Sequence, residues 1–356
     1  MRKYYLDNIR WMTIVLVVLY HVLYMFNSIL TDGVIGPVTE VHWQDTIQYL
    51  LYPWFMVILF LISGMCAKYY LDRHSTREFI LARTRKLLVP STIGLFVFGW
   101  IQGYFNMAIS GAFDNLSDEL PAFVRYLIMV LSGTGVLWTI QVMWILSLFL
   151  VLIRKIEKGW LLKLCQKANL AVLLLLVVPV WGAAQILNTP VICVYRFGIY
   201  GFCFLLGYYV LSHEEVTDQL KKYAVPLLAA AAVLAIAYTK THFGQDYAQA
   251  PAVNDPLAVA YAWIASLALI GCGKRWANRT GTLCSFMTKR SFGLYVFHYL
   301  TLSAASYGLT RFTPVTGPVI YILSAAAAFA GGFLLNEVIS GIPILRWCIL
   351  GIKKEH

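Results

Sequence analysis

The sequence predicts an all-α integral membrane protein with about ten transmembrane helices and both termini in the cytoplasm. Three observations carry this prediction: a low charge content, ten long apolar stretches, and basic residues gathered on alternate sides of those stretches. Only 13% of the 356 residues are charged and 60% are hydrophobic, and the mean hydropathy is +0.70. Soluble domains are about 25% charged and at most half apolar, so the composition excludes a soluble multidomain protein. The aromatic content of 15% excludes a disordered chain.

Each apolar stretch is long enough to form a spanning helix. A helix needs about 20 residues to cross the hydrocarbon layer, and continuous apolar runs fit helices rather than barrel strands, in which apolar residues alternate. A further run at 121–131 is too short to span, and Pro121 and Arg125 within it indicate an interfacial or re-entrant helix. The predicted spans are 9–30, 46–70, 87–109, 136–153, 169–187, 191–212, 223–240, 256–273, 291–310 and 317–341.

The distribution of basic residues sets the predicted orientation. With the N-terminus in the cytoplasm, 24 of the 28 Lys and Arg residues fall in cytoplasmic segments or at their membrane boundary, as the positive-inside rule requires. The net charge of +11 therefore mostly reflects the membrane topology. The basic residues form short clusters between apolar stretches and not the continuous basic face of a nucleic-acid-binding protein. We expect a multi-pass protein of the cytoplasmic membrane of a bacterium, with one membrane-embedded domain over 1–356 and a first helix that is retained rather than cleaved.

The first helix carries the most informative polar residues, Asp7, Arg10 and His21. His21 follows Arg10 by eleven positions. In a helix this is a rotation within about 20° of three whole turns, so the two side chains share a helix face about 16 Å apart. Asp7 lies three residues before Arg10, at the spacing of an i,i+3 ion pair. Ionisable residues in a membrane are functional candidates. The alternative is a snorkelling arginine anchor and a histidine that hydrogen-bonds between helices. Arg196 and Glu337 also lie within predicted spans, and we expect each to face the bundle interior.

The ninth span presents Ser291, Tyr295 and His298 at i, i+4 and i+7, on one helix face. His298 lies about 10 Å inside the cytoplasmic end of its span, at a depth comparable to that of His21. Two histidines at similar depth on different helices are expected around one buried site. A structural hydrogen bond between helices is the alternative for His298.

Three further features mark the neighbouring spans. Arg83, Arg85 and Lys86 precede the third span, and arginine forks suit phosphate groups, although the spacing alone favours anchoring to anionic lipid. Ser63 precedes Gly64, which permits close helix approach. Trp138 fits an interfacial aromatic belt. The seven cysteines include no CxxC pair, which predicts neither a disulfide nor a metal site.

These segments together resemble the acyltransferase-3 family of integral membrane acyltransferases, and the similarity runs over essentially the whole chain. Arg10, ten intervening residues and His21 match the pattern of that family's first helix, with Asp7 as its preceding aspartate. FLISGM resembles its Phe-x-x-Ser-Gly segment, and ARTRKLLVP resembles its Arg-x-x-Arg cluster with Lys86 in place of the second arginine. LWTIQVMW, GFCFLLGYY and SFGLYVFH are also similar to family segments.

The resemblance implies transfer of an acyl group from acetyl-CoA or succinyl-CoA, arriving from the cytoplasm as a substrate, to a hydroxyl of an extracytoplasmic glycan or similar acceptor. No permanently bound cofactor is implied. His21 would be catalytic, with Arg10 supporting donor binding or site geometry. Arg83 and Lys86 would lie at the donor end, where Lys86 keeps the charge and loses the bidentate fork. Direct transfer and an acyl-histidine intermediate both stay open.

Two other classes of function are weighed against this one. A secondary transporter or flippase for a glycan or lipid precursor also suits ten helices with buried charges, but the sequence has no inverted repeat and no matching pair of broken helices. A signalling or assembly subunit without catalysis is the third possibility. A one-face Arg10–His21 pair combined with a cytosolic phosphate-like cluster favours the enzyme.

Overall fold

The computed structural model describes residues 2–29, 33–40, 43–115, 120–190 and 194–353. Within these residues the chain is helical apart from one short hairpin, which confirms the all-α prediction. The hairpin pairs β1 (Asn188–Pro190) with β2 (Val194–Arg196) in antiparallel register. The α-helices are α1 (Tyr4–Tyr24), α2 (Trp43–Leu71), α3 (Thr76–Arg83), α4 (Val89–Ser91), α5 (Trp100–Ser110), α6 (Ala122–Ser132), α7 (Trp138–Glu157), α8 (Trp160–Cys165), α9 (Leu170–Leu175), α10 (Val177–Ala184), α11 (Phe197–Tyr209), α12 (Glu214–Lys222), α13 (Ala224–His242), α14 (Pro256–Trp276), α15 (Thr282–Phe312), α16 (Pro318–Gly341) and α17 (Pro343–Leu350). Short π-helices cover Thr84–Leu88 and Leu95–Gly99, and 3₁₀ turns cover Ala112–Asn115, Gly135–Leu137 and Ala252–Asn254.

Seven helical segments of the described chain are long and apolar enough to cross a membrane. The remaining predicted spans coincide with shorter helices at 170–184 and 197–209 and with the long helix α15, so the count of ten spans stays a prediction. The short run at 121–131 forms α6, of only 11 residues. The seven segments are Tyr4–Tyr24, Trp43–Leu71, Thr76–Ser110, Gly135–Glu157, Ala224–His242, Pro256–Trp276 and Pro318–Gly341.

Three predicted spans differ from the helices in ways the residues explain. Helix α1 ends at Tyr24 rather than at residue 30 because the Asn27 side chain donates to the Tyr24 carbonyl at 2.6 Å and the chain turns away. The fifth span breaks between α9 and α10 because Pro179 has no N–H to continue the helical ladder. The sixth begins with β2, so α11 covers only 13 residues. Residue 30 and residues 191–193 of these predicted spans lie outside the described residues.

The chain divides into two compact units. Unit 1 comprises Met1–Thr13, Tyr49–Ala82 and Val142–Thr288, and unit 2 comprises Ile14–Gln48, Arg83–Gln141 and Lys289–His356. The single membrane-embedded domain over 1–356 stays a prediction.

Unit 1 holds α2 directly against α11 through glycine. A Cβ on Gly64 would lie 1.9 Å from the Phe204 carbonyl oxygen, and a Cβ on Gly207 would lie 2.0 Å from that of Leu61. The close approach expected of Gly64 is therefore present, and the two backbones touch as small residues allow. At the N-terminal end of the chain, the Asn8 amide donates to the Ala277 carbonyl at 2.6 Å, which ties α1 to the chain after α14.

This contact predicts that Gly64→Ala destabilises the protein. The added methyl has backbone on the opposite side and cannot be accommodated by a side-chain rotation, so we expect a loss of about 1–3 kcal/mol and a lower melting temperature in detergent. Gly182→Ala on α10 is the matched control, because no atom lies within 4 Å of its Cβ position. Equal melting temperatures for the two variants would show that α2 and α11 do not pack in this way.

In unit 2, glycines also allow α15 to pack closely against α16. A Cβ on Gly293 would lie 1.8 Å from the Asn336 side-chain oxygen, and a Cβ on Gly332 would lie 2.8 Å from Leu294. Nearby on these helices, Arg290 and Glu337 form an ion pair at 2.7 Å. Glu337 is more than half exposed, so the expectation that it faces the bundle interior is wrong: its position near the end of α16 lets it reach Arg290.

Candidate active site

Two histidine side chains meet inside unit 2. His21 on α1 and His298 on α15 approach with 3.2 Å between His21 Nδ1 and His298 Nε2, and their ring centroids are 5.1 Å apart. His298 is fully buried. The structure therefore brings together the two histidines that the sequence marks on separate spans.

The hydrogen bonds of this pair determine which ring nitrogens carry protons. His298 Nδ1 lies 2.8 Å from the Tyr295 carbonyl and 3.1 Å from that of Leu294. A carbonyl only accepts, so His298 Nδ1–H donates and Nε2 of the neutral ring is an acceptor. His21 Nδ1 lies 2.9 Å from the Val17 carbonyl as well as close to His298 Nε2, so it also bears its proton. The lone pair of His21 is then on Nε2, which no described residue hydrogen-bonds.

Aromatic side chains surround the histidine pair. The rings of Tyr20 and Tyr299 lie edge-on to His21, with centroid distances of 5.2 and 5.1 Å. Tyr295 is buried, and its hydroxyl donates to the Val136 carbonyl in the turn before α7. This bond holds α15 against that turn, so the helix face that carries His298 has a fixed position.

A group of polar side chains lies beyond Tyr299 on the same face of α15. The backbone of Gly135 lies between Tyr299 and Gln102, since a Cβ there would be 3.6 and 3.8 Å from the two side chains. The Gln102 amide donates to Ser303 at 3.1 Å and to Asn106 at 2.7 Å. Tyr299 and Ser303 were not among the predicted site residues, yet they extend the i,i+4 series from Tyr295, and that spacing is the signal that would have found them.

The N-terminal half of α1 belongs to unit 1. Arg10 pairs with Asp7 at 3.3 Å, the ion pair expected from their spacing, and its other nitrogen lies 3.0 Å from Cys66 Sγ. Asp7 also pairs with Arg2 at 2.9 Å. One carboxylate thus holds two guanidinium groups at this end of the helix.

The basic cluster Arg83, Arg85 and Lys86 lies in unit 2 at a change of helix type. Arg83 ends α3, and the other two lie in the π-helix that precedes Pro90. Proline cannot donate to the Lys86 carbonyl, so the regular ladder stops there and a wider turn replaces it. Lys86 is exposed and the two arginines are half-buried. The described partners of the His21 ring are Val17, His298 and the rings of Tyr20, Tyr24 and Tyr299.

The remaining predicted site residues are placed separately. Ser291 is buried on α15, two turns before His298, in unit 2. Trp138 is the half-buried first residue of α7, directly after the turn that accepts the Tyr295 hydroxyl. Ser63 is buried on α2 in unit 1, beside the Gly64 contact, and so lies in a different unit from the histidine pair.

Comparison with known proteins assigns the family. The family model described as an acyltransferase domain, that of the acyltransferase-3 family, matches residues 3–337. No curated protein and no solved structure gives a significant match. Because the match covers nearly the whole chain, the protein belongs to the acyltransferase-3 family. It is a membrane acyltransferase with several helices that suit membrane crossing.

Proposed function

We propose that this protein transfers an acetyl or succinyl group from cytosolic acyl-CoA to a hydroxyl of an extracytoplasmic glycan or similar acceptor, in the cytoplasmic membrane of a bacterium. The acyltransferase family match supports the reaction class. The observation that carries the mechanism is the histidine pair, in which His21 Nδ1–H is held by the Val17 carbonyl and by His298 while Nε2 keeps its lone pair.

His21 acts as the general base in this proposal. The acceptor hydroxyl gives its proton to His21 Nε2 as its oxygen attacks the thioester carbonyl. The oxyanion intermediate collapses by breaking the carbon–sulfur bond, and the leaving thiolate takes the proton back from the imidazolium. An ester and free CoA thiol are the products, with no net change in protons on the enzyme.

His298 acts on the reaction through His21. Its Nε2 accepts from His21 Nδ1–H, so the positive charge that forms on His21 strengthens an existing hydrogen bond. The two backbone carbonyls at His298 Nδ1 keep that acceptor in place. His298 is therefore a positioning residue for the base. An acyl-histidine route would use the same free His21 Nε2 as a nucleophile, with the same partner behind it.

The donor end of the site is assigned to the basic residues at the predicted cytoplasmic face. CoA carries phosphate groups, which arginine binds through a planar fork and lysine through a point charge. Arg83 and Lys86 match the family cluster, and Arg85 lies between them.

This assignment predicts that Arg83→Ala raises the donor KM by about 10-fold, with kcat little changed, because a charged hydrogen bond is worth about 1.5–3 kcal/mol. Lys86→Ala should raise the donor KM less than Arg83→Ala does, since Lys86 is exposed. Lys86→Arg should lower the donor KM below the wild-type value, because it restores a guanidinium that can bind phosphate with two hydrogen bonds. Lys155→Ala, an exposed lysine in the last turn of α7, is the control. An unchanged KM with reduced protein yield in the cluster variants would identify a lipid anchor instead.

The experiment that tests the function is the release of CoA thiol from acetyl-CoA and succinyl-CoA by purified protein, with wild type and His21→Ala compared. Release by the wild type alone supports an acyltransferase centred on His21. If neither releases thiol, calorimetric titration with CoA separates two cases: binding keeps the enzyme and indicates a missing acceptor, whereas no binding argues against a CoA donor.

A further inference from the structure

The turn that follows α17 lies directly on the backbone of the basic cluster, within unit 2. Helix α17 packs against α4. A Cβ on Gly351 would lie 2.1 Å from the Arg85 carbonyl oxygen and 3.0 Å from the Lys86 Cα. This approach leaves no room for a side chain, and the φ of +61° at Gly351 also favours glycine. The C-terminal turn, residues 351–353, is therefore fixed beside the cluster.

The C-terminal turn brings an exposed lysine to the cluster. The N–H groups of Gly351 and Ile352 donate to carbonyls of α17 at 3.1 and 3.3 Å, which is a common way for a helix to end at glycine. Lys353 follows and is exposed, as is Lys86. Because consecutive Cα atoms are 3.8 Å apart, the Cα atoms of Lys353 and Lys86 lie within about 12 Å of each other. Their long side chains can therefore reach one anionic ligand.

Cations outnumber carboxylates on the predicted cytoplasmic side of unit 2. Among the described residues, Glu337 is the one carboxylate on that side, and it pairs with Arg290 at 2.7 Å. Arg85 is half-buried and makes no ion pair or side-chain hydrogen bond within the described chain, and of its guanidinium nitrogens only Nε is enclosed. Its terminal nitrogens are thus open to an anion, which a surface of one charge sign attracts. The seven cations on that side are Arg83, Arg85, Lys86, Lys289, Arg290, Arg346 and Lys353.

We propose that Arg85, Lys86 and Lys353 form one binding site for a phosphate ester, so that the C-terminal turn extends the donor end of the active site. A guanidinium binds phosphate through two parallel hydrogen bonds, and lysines add point charges that neutralise further oxygens. Two kinds of molecule present phosphate esters at a cytoplasmic membrane face, namely CoA and an anionic lipid. The assignment to CoA rests on the proposed function, whereas the site itself does not.

The test is the binding of two phosphate probes to purified full-length protein in detergent. Adenosine 3′,5′-bisphosphate, measured by calorimetry, carries nucleotide phosphates without a thioester, and adenosine is its uncharged control. Fluorescent phosphatidylglycerol in the same detergent is the lipid probe. We expect wild type to bind the bisphosphate and not adenosine. The affinity for the bisphosphate should fall about 10-fold in Arg85→Gln and about 3–5-fold in Lys353→Ala.

Two matched pairs of variants keep the test independent of folding. Lys353→Ala changes an exposed side chain after the last helix, so it should melt like wild type even if Arg85→Gln fails to fold; Lys163→Ala, an exposed lysine of α8 in unit 1, should bind like wild type. Gly351→Ala should weaken bisphosphate binding without loss of charge, because its methyl displaces the C-terminal turn. Gly317→Ala has a similar φ of +66° and no atom within 4 Å of its Cβ position, and should bind like wild type.

The pattern of losses identifies the ligand. Weaker bisphosphate binding in Lys353→Ala and Gly351→Ala supports the site and assigns it to the donor. Weaker phosphatidylglycerol binding with unchanged bisphosphate binding supports the site and assigns it to a lipid. No binding of either probe to wild type, or unchanged binding of both probes in the two variants, overturns the proposal. The release of CoA thiol by wild type tests the proposed function separately, so the two failures are distinguishable.

Discussion

His21→Ala is expected to lower kcat for acyl transfer by about 10²–10⁴-fold, the range that a general base contributes. The reason is that, among the described residues, His21 Nε2 carries the one nitrogen lone pair of the histidine pair that accepts no hydrogen bond. His298 Nε2 faces His21 Nδ1 and His298 Nδ1 faces two carbonyls, so His298 lies behind the His21 ring, on the side away from Nε2, where the acceptor hydroxyl is proposed to bind. Initial rates at saturating acyl-CoA measure the effect directly.

The control for this variant is His74→Ala, which removes an exposed histidine from the turn after α2. It should keep wild-type rates and melt close to wild type. His21→Ala loses ring contacts with Tyr20 and Tyr299 and should melt lower than wild type. A His21→Ala protein with near-normal kcat would contradict the mechanism, whatever its stability.

The second large effect is expected at His298. His298→Leu should lower kcat by about 10–100-fold, since it removes the charge-assisted hydrogen bond that stabilises the His21 imidazolium. The loss should be smaller than that of His21→Ala because the Val17 carbonyl still holds His21 Nδ1–H and preserves its tautomer. The donor KM should change little, because His298 is fully buried whereas Lys86 of the basic cluster is exposed.

The conservative variant His298→Gln separates positioning from packing. Its side-chain oxygen can accept near the place of Nε2, so it should recover most of the kcat lost in His298→Leu. Kinetics at several donor concentrations give kcat and KM separately for the three proteins. If His298→Gln were as slow as His298→Leu, or if both kept wild-type kcat, His298 would be a packing residue only.

The fold class was predictable because composition and apolar run length are properties of the whole chain. Helix ends were less so, since they depend on single groups. Asn27 ends α1 by donating a hydrogen bond to the Tyr24 carbonyl, and Pro179 divides the fifth span into two helices. The mean hydropathy of a window of residues does not detect such effects of single side chains. Glu337 was placed inside the bundle on the sequence, whereas its ion pair with Arg290 depends on how α16 lies against α15.

The histidine pair could be predicted from the sequence, because the depth of a residue along a span follows from counting residues. The tautomers of the two rings could not be predicted, since they depend on which backbone carbonyl faces which ring nitrogen. Tyr299 and Ser303 were missed although they repeat the spacing from Tyr295, because neither side chain is charged at neutral pH and both are common in apolar helices. Arg196 was recognised as an unusual buried charge, but only the structure gives its neutral partners at Val253 and Asn254.

Acyl transfer across a sealed membrane tests the proposed reaction, its donor side and the role of His21 in one experiment. Labelled acetyl-CoA or succinyl-CoA is enclosed on the cytoplasmic side of proteoliposomes, and an envelope glycan fraction is supplied outside. We expect wild type to place base-labile acyl label on the glycan and to leave free CoA thiol inside, while His21→Ala does neither. Equal labelling by the two proteins, or intact labelled donor appearing outside, would contradict the proposed His21-dependent transfer.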